Sequence, residues 1–545
     1  MAVSAALIGA SSYASASDPG ADIDYSHLTP ELIKETDGVA FSSDFHGLNG
    51  NGRALDADIS LDDFSKLSLT QIRQFGVRLY TTPMRRADGF GDGPGINEAI
   101  LPDGTPALNI PDLGPTGRPT LQGNGTWLRM NGLDSQTCLE CHGVVDNSVV
   151  PAQLGVGGQA GIGGSPFFRS KTADIDDSGG QSFGGGDLNN AQTGEALGIA
   201  AFDGRSINPP ANFGLGGVEL VGQEITETLQ KIGALAEKTG KCLPLKAKGI
   251  DFGTTCAPEG VDADLEIRPF GRKGEFATVR GFDEGAMAFH IGMQDETVFG
   301  DTDMDGDGID VEFTVAQARA FHVFMTTQER PVQPKYATGQ ARTGFKVFNK
   351  IGCAGCHVPF IDTKSRFLEF TDPDSDEVYF RADLSKGVSQ FERNRYGGIR
   401  VRAHSDYKRH NMGYRLKETA HFLEDPEGDE CDEGVAGAEI DNCNFITMKL
   451  WGVADSAPYL HDGRALTLFE AIALHGGEAQ EVRDRFVELD PKWQNALLAY
   501  LGTLKHPEEP NQDVADQVQL DPFQAAVKPR PRKKYNYYKK FYKKW

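Results

Sequence analysis

Cys353-Ala354-Gly355-Cys356-His357 sets two thiols three residues apart with an imidazole immediately after the second. Thiols at that spacing can add to both vinyl groups of one haem, and the following histidine then stands under the iron as a ligand. The same pattern recurs far upstream as Cys138-Leu139-Glu140-Cys141-His142. A zinc knuckle would need two further ligands at matching spacing, and a thioredoxin-like redox pair would need a βαβ context. Two separated copies therefore predict two covalently attached c-type haems, one per module, with His142 and His357 as iron ligands.

The elements around the second motif must hold it in place. Phe345 and Phe348 lie three apart on a predicted helix that stops at Gly352, just before the cysteines. Near the other end, Asp490 as N-cap and Pro491 at the first helical position start a helix whose apolar face is Trp493, Ala496, Leu497, Tyr500, Leu501 and Leu504. A helix before the motif and a packing helix at the end is a cytochrome c layout. Between them, Thr467 and Glu470 form a capping box. Leu468, Ala471, Ile472 and His475 then follow at i, i+3, i+4 and i+7, which puts His475 on the inward face as distal ligand of the second haem. His461, in the turn YLHDGR, is expected to support that site, and the fork of Arg464 to suit a haem propionate.

A second, haem-independent pattern is acidic. Asp301, Asp303, Asp305, Gly306, Asp307 and Glu312 occupy positions 1, 3, 5, 6, 7 and 12 of an EF-hand-like loop, with Asp310 a possible variant ligand. Clustered carboxylates repel unless a cation sits among them, so a calcium ion is expected.

The whole chain bounds the setting. With 545 residues, a net charge of −24 and a pI near 4.9, nucleic-acid binding is excluded. No run of apolar residues is long enough to span a membrane. Residues 1–16 end in Ala14-Ser15-Ala16, the small-x-small signature of a processed signal peptide whose basic start is missing. Cys242 with Cys256, and Cys431 with Cys443, each close a short polar loop and predict two local disulfides. Periplasmic or extracellular location follows from both signs. The expected fold is mostly α, with two cytochrome c-like haem domains and long loop insertions. The first spans residues 17–340 and includes a Gly-rich insertion over 152–190. The second spans 341–510, and 511–545 is a linker with a basic-aromatic tail. That tail, residues 528–545, carries nine Lys and Arg and no acid, and would suit an anionic surface.

The pieces NGLDSQTCLECHG, NPPANFGLGGVEL, FGRKG with AFHIGM, DGDGIDVEFT, IGCAGCHVP, SDYKRHNMG and LWGVADSAPYLHDGRALTLFEAIALHGGEA occur in the order seen in one family. Through them the sequence resembles the di-haem oxidoreductases, relatives of bacterial di-haem cytochrome c peroxidases and of MauG-type enzymes. The resemblance implies one haem that relays electrons from a redox partner protein or small donor, and one with an open face for peroxide. In the peroxidase relatives the relay haem's distal ligand is a Met; here the position is His475, which implies a His/His haem of lower potential. No distal ligand of the first haem stands out among His290, Met287, Met293, His46 and Met130. An acid/base is needed beside peroxide. The segment FGLGGVELVGQEITE holds, in the first half, the place of LWGVADSAPYLHDGRALTLFE in the second. It nominates Glu219 and then Glu224 for that role, and His410, in KRHNMG, is a further candidate for the pocket or for a supporting position behind it. A plain di-haem electron carrier and a MauG-like oxidase of an organic or protein substrate are the alternatives.

Overall fold

The computed structural model describes residues 59–64, 66–82, 84, 88–89, 137–138, 142, 165–172, 200–207, 209–287, 291, 293–301, 309–332, 339–372, 377–417, 431, 443–461 and 463–517. All of them fall in one unit, Gly52–Trp545. Residues 1–16, expected as a signal peptide, most of the Gly-rich insertion, Cys141 and the basic tail lie outside the described residues.

The larger core is built on four helices. Helix α1 (Leu69–Thr81) starts at a capping box of Ser68 and Gln71. Helix α2 is Leu215–Thr239 and helix α3 is Val279–Ala286. Helix α4 (Val315–Thr327) opens with a second capping box, Thr314 and Gln317. Gly216 lets α2 close on the end of α4, because a Cβ there would stand 2.2 Å from the Thr326 carbonyl oxygen. Val218, Val221, Ile225 and Leu229 of α2 are fully buried. They recur at helical spacing and contribute about 2 kcal/mol each by leaving water.

Small antiparallel sheets flank these helices, so the architecture is mixed rather than mostly α. β1 (Ser165–Thr172) pairs β2 (Ala200–Ile207). β3 (Pro244–Ala247), β4 (Ile250–Thr254) and β5 (Ala257–Pro258) form one sheet in that order, with the Cys242–Cys256 disulfide beside it. Further along are β6 (Ile361–Asp362), β7 (Phe367–Thr371), β8 (Val378–Asp383), β9 (Glu392–Arg393) and β10 (Ile399–Val401). β7 pairs β8, and β10 lies between β6 and β9. β11 (Arg409–Asn411) pairs β12 (Asn444–Ile446), next to the Cys431–Cys443 disulfide. Both disulfides are the pairs that the sequence spacing implies.

A second, smaller core lies around the second motif. Helix α5 (Gly339–Ile351) crosses helix α8 (Pro491–Leu501), with α6 (Leu468–Leu474) and α7 (Gln480–Val487) alongside. The crossing is close at Gly344, where a Cβ would meet the Ala496 carbonyl oxygen at 1.8 Å. Val347, Phe348 and Ile351 pack there on Phe486, Leu497, Tyr500, Leu501 and Leu504.

Packing does not respect a boundary near residue 340. Ile361, Leu368, Phe370, Ile399, Val401 and Tyr407 are buried in the larger core, not the smaller. Nor are residues 511–517 a linker. Asn511 and Val514 are fully buried, and Arg73 of α1 donates to Asp513, Asn511 and Thr327. Removing the chain end would leave that guanidinium buried without its carboxylate, which is costly. Among the described residues, no helix is long and apolar enough to cross a membrane.

Candidate haem centre

Helix α5 ends at Gly352, whose φ of 112° only glycine adopts readily, and the chain turns at once into a short 3₁₀ turn, Cys353–Gly355. The His357 N–H donates back to the Cys353 carbonyl at 3.0 Å. His142 makes the same bond to Cys138, at 2.9 Å, so the described residues of the two motifs share one local turn. Burial pushes the Cys353 thiol up to about 12. An uncharged sulfur, thiol or thioether, is what that environment tolerates.

His475 caps the C-terminal end of α6, and its ring centroid lies 6.5 Å from that of His357, at 59° between planes. Two imidazoles on opposite sides of one metal, each bonded at about 2.0–2.1 Å, would have centroids about 6.3 Å apart. Each ring has its other nitrogen engaged. Nδ1–H of His357 donates to the His404 carbonyl at 3.1 Å, and Nδ1–H of His475 to the Ala471 carbonyl at 2.8 Å. That leaves both Nε2 lone pairs for a metal. Burial, then the facing His475, lowers His357 to about 4, and burial also lowers His475. Both rings are therefore neutral, the form that ligates. The separation and the free Nε2 atoms fit an iron held between the two rings.

His404 and Tyr500 hold this site, and the sequence did not single out either for it. His404 is fully buried with φ of 58°, a strained conformation for a residue with a Cβ. Its Nδ1–H donates to the Arg402 carbonyl at 3.0 Å, and its Nε2 accepts from the Tyr500 hydroxyl at 2.6 Å. Burial lowers His404 to about 3, so it keeps one donor and one acceptor nitrogen. Tyr500 counts in sequence as one more member of an apolar helix face. Only the fold shows that its hydroxyl reaches across to residue 404.

His410 lies beside the second motif, in the supporting one of its two expected positions. Its Nε2 lies 2.9 Å from Asp406, its Nδ1 lies 2.7 Å from Glu478, and Cys356 is beside it. Burial opposes its charge, but the bond to Asp406 and the neighbouring Cys356 raise it to about 11. A cation held between two carboxylates is a poor general base at neutral pH. His461 stacks on Phe445, centroids 4.7 Å apart, with Lys273 over that ring at 3.7 Å. Arg464 is exposed and donates to the Arg415 carbonyl at 2.6 Å.

At the first motif, Thr137 fixes the entry to Cys138 by donating to the Tyr80 carbonyl at 2.9 Å, and Asn212 donates to the Tyr80 hydroxyl at 3.1 Å. Asn212 precedes α2 by less than a turn, which ties the motif to the helix bearing Glu219. Glu219 is buried and accepts from the Val279 N–H at 2.8 Å, Gln223 at 3.3 Å and His322 at 3.5 Å. Glu224 lies elsewhere in function. It accepts from the Lys364 and Ser365 N–H groups and from the Lys248 ammonium, clamping the loop before β7. Met287 and Met293 are buried in the larger core. His290, His46 and Met130 lie outside the described residues, as do Asp303, Asp305 and Asp307. Of the acidic loop, Asp301 is exposed, while buried Glu312 accepts from the Gln294 N–H and side-chain amide at 2.6 and 2.8 Å. Both Glu312 oxygens are thus committed to Gln294, which makes it a loop anchor rather than a free ligand.

Residues 415–504, which include α6, His475 and α8, match the family model described as "Di-haem oxidoreductase, putative peroxidase". Over that stretch the chain is similar to the di-haem oxidoreductases. No curated protein matches the chain. Among solved structures, hydrazine synthase of Kuenenia stuttgartiensis under xenon is 18% identical, with 35% of this chain and 56% of that one covered at a TM-score of 0.20. A MauG-like protein associated with microbial copper homeostasis is also 18% identical, with 38% and 56% covered at a TM-score of 0.21. This chain thus spans a little over half the length of either. The di-haem oxidoreductase match ends just past α8, so it takes in His475 and the Tyr500 hydroxyl but not the Cys353–His357 turn.

Proposed function

We propose that the chain is an exported di-haem c-type oxidoreductase. It would reduce peroxide at the haem of Cys138, Cys141 and His142, with electrons relayed through the haem of Cys353, Cys356 and His357. The observation that carries this is the His357–His475 pair: facing rings 6.5 Å apart, each with Nδ1 tied to a backbone carbonyl. Each haem would supply an iron that changes oxidation state and, where a coordination position is open, binds peroxide. His357 and His475 would together hold the iron of that haem, which would supply one-electron chemistry without exchanging a protein ligand. The His404 carbonyl holds the His357 ring in orientation, and Tyr500 holds His404. On the other module Thr137 and Tyr80 seat the first cysteine, and Glu219 is the carboxylate assigned to hold and move peroxide's proton.

Two disulfides and two C-x-x-C-H motifs support a periplasmic or extracellular location. A calcium ion bound by Asp301, Asp303, Asp305 and Asp307 belongs to the same proposal, as do a protein or small-molecule electron donor and adsorption of the tail 528–545 to an anionic surface.

The test is the protein exported from a cell with haem-maturation machinery. Its mass should carry two haem additions, and optical and EPR spectra should show one low-spin and one high-spin centre, the latter reacting with peroxide. Cys356, Asp406 and His410 have ligand atoms within 4.8 Å of one another, a set that zinc could use. Zinc retained with no haem added would overturn the proposal. Low-spin spectra in every redox state and no reaction with peroxide would make the chain an electron carrier.

A further inference from the structure

His475 sits on a short and weakly held piece of chain. Helix α6 is seven residues long, Ala471 is its one buried residue, and Gly476 and Gly477 follow His475 at once. Two glycines in succession impose little conformation of their own. The next fixed point is Glu478. Its Oε2 accepts from His410 Nδ1–H at 2.7 Å and its Oε1 from the Asn411 N–H at 2.9 Å. The loop lies directly on that strand. A Cβ at Gly477 would stand 2.1 Å from the Asn411 carbonyl oxygen, and one at Gly476 would stand 2.9 Å from that of Met412.

The strand that receives Glu478 is itself anchored. His410 Nε2–H donates to Asp406, a buried carboxylate that also accepts from the Lys408 N–H at 3.0 Å. β11 pairs β12 from Arg409 to Asn411, and the Met412 N–H extends the pairing to the Cys443 carbonyl at 2.9 Å. Two residues before Asp406, the His404 carbonyl accepts from the His357 ring. One stretch, residues 404–412, therefore bears on both facing imidazoles. It holds His357 directly and His475 through Glu478.

We infer that Glu478 is a positioning residue for His475. Gripped by His410 and Asn411, its carboxylate holds the Gly476–Gly477 loop against β11 and keeps the imidazole facing His357, which closes the second centre to small ligands. The clamp thereby decides which of the two centres is left for peroxide. The inference rests on the reading of His475 as an iron ligand. Glu478 is an exposed side chain, and exposed ion pairs contribute little to stability. Its removal should therefore leave the fold intact yet free the ring, a combination that a merely structural ion pair does not produce.

Carbon monoxide is the probe, added to the reduced, haem-loaded full chain, with capture at the second centre followed as loss of its low-spin optical band. In the wild type, capture waits for His475 to come away and is slow. Because capture scales with the fraction of open centre, Glu478→Ala should speed it about tenfold or more, with the thermal midpoint hardly moved. Gly477→Ala should do the same by pushing loop and strand apart, since its Cβ would meet backbone and its φ of 50° disfavours a side chain. Glu478→Gln keeps an acceptor for the Asn411 N–H and should fall between the wild type and Glu478→Ala. Capture within about twofold of the wild type in both Glu478→Ala and Gly477→Ala would overturn the inference. So would an equal gain in Glu481→Ala, which removes an exposed carboxylate paired with Arg485 instead. His475→Ala separates the clamp from the reading beneath it. Rapid capture there, beside slow capture in Glu478→Ala, refutes the clamp alone, whereas a spectrum indifferent to His475→Ala refutes the iron ligand itself.

Discussion

Replacing Tyr500 by Phe removes one oxygen and keeps the ring. The Phe345 and Phe348 rings, at 5.1 and 5.5 Å from Tyr500, would pack on phenylalanine as they do on tyrosine. What is lost is the 2.6 Å bond to Nε2 of His404, a side chain with no exposed surface on which to find water. Leaving a buried acceptor unsatisfied costs about 1–3 kcal/mol. At about 2–4 °C per kcal/mol for a module of 150–250 residues, that corresponds to a fall of about 2–12 °C in the thermal midpoint. His404 is also held at a strained positive φ, and its carbonyl is the acceptor for His357. Loosening it weakens the donation from Nδ1–H, makes the His357 ring a poorer electron donor to iron and raises the potential of the second haem. The assay is paired: calorimetry on the haem-loaded protein, and a spectroelectrochemical titration that follows the low-spin centre. A loss below about 0.5 kcal/mol, the scatter of an ordinary surface substitution, together with an unchanged potential would refute the positioning role.

Other outcomes follow from the same geometry. His475→Ala should convert the low-spin centre to high spin, while His475→Met should restore a six-coordinate centre at higher potential, within the ~0.8 V that axial ligands command; a spectrum indifferent to both removes His475 from the iron. His410→Ala leaves Asp406, 2% exposed, without its cationic partner and should cost about 2–4 kcal/mol in urea unfolding at neutral pH. An equal loss in Asp406→Asn is expected, because the two form one unit, and a neutral result in either would show the pair to be ornamental. For pH, burial lowers His506 to about 4, so the unfolded chain takes up the proton first. The stability it contributes is complete above the unfolded pKa near 6.5 and is lost as pH falls toward 4. His506→Phe should therefore gain on the wild type by about 1–3 kcal/mol over that interval, and a gap independent of pH would refute the assignment.

The parts of this protein legible in sequence are those contained within one stretch of chain. The two C-x-x-C-H motifs, the Thr467–Glu470 capping box, the Asp490-Pro491 helix start and the apolar spacing that turns His475 inward are all local patterns. Their geometry is dictated by a helical turn or a few bonds. The two short disulfide loops are legible for the same reason. What the sequence could not decide is which distant segments meet. The strands β6 to β10 join the larger core although they follow the second haem motif, because Phe370, Ile399 and Val401 find their apolar partners on α2 and α4. His410 was expected in the pocket or in a supporting position behind it, and it lies against Cys356, because the β11–β12 pairing delivers it to Asp406 and Glu478. Glu224 was expected beside Glu219 in function, yet it faces the loop before β7, where backbone N–H groups at 364 and 365 need an acceptor. His404 and Tyr500, 96 residues apart, have no pattern between them at all. Spacing along a helix fixes direction relative to that helix, whereas the partner in that direction is supplied by burial and hydrogen bonding across the whole fold.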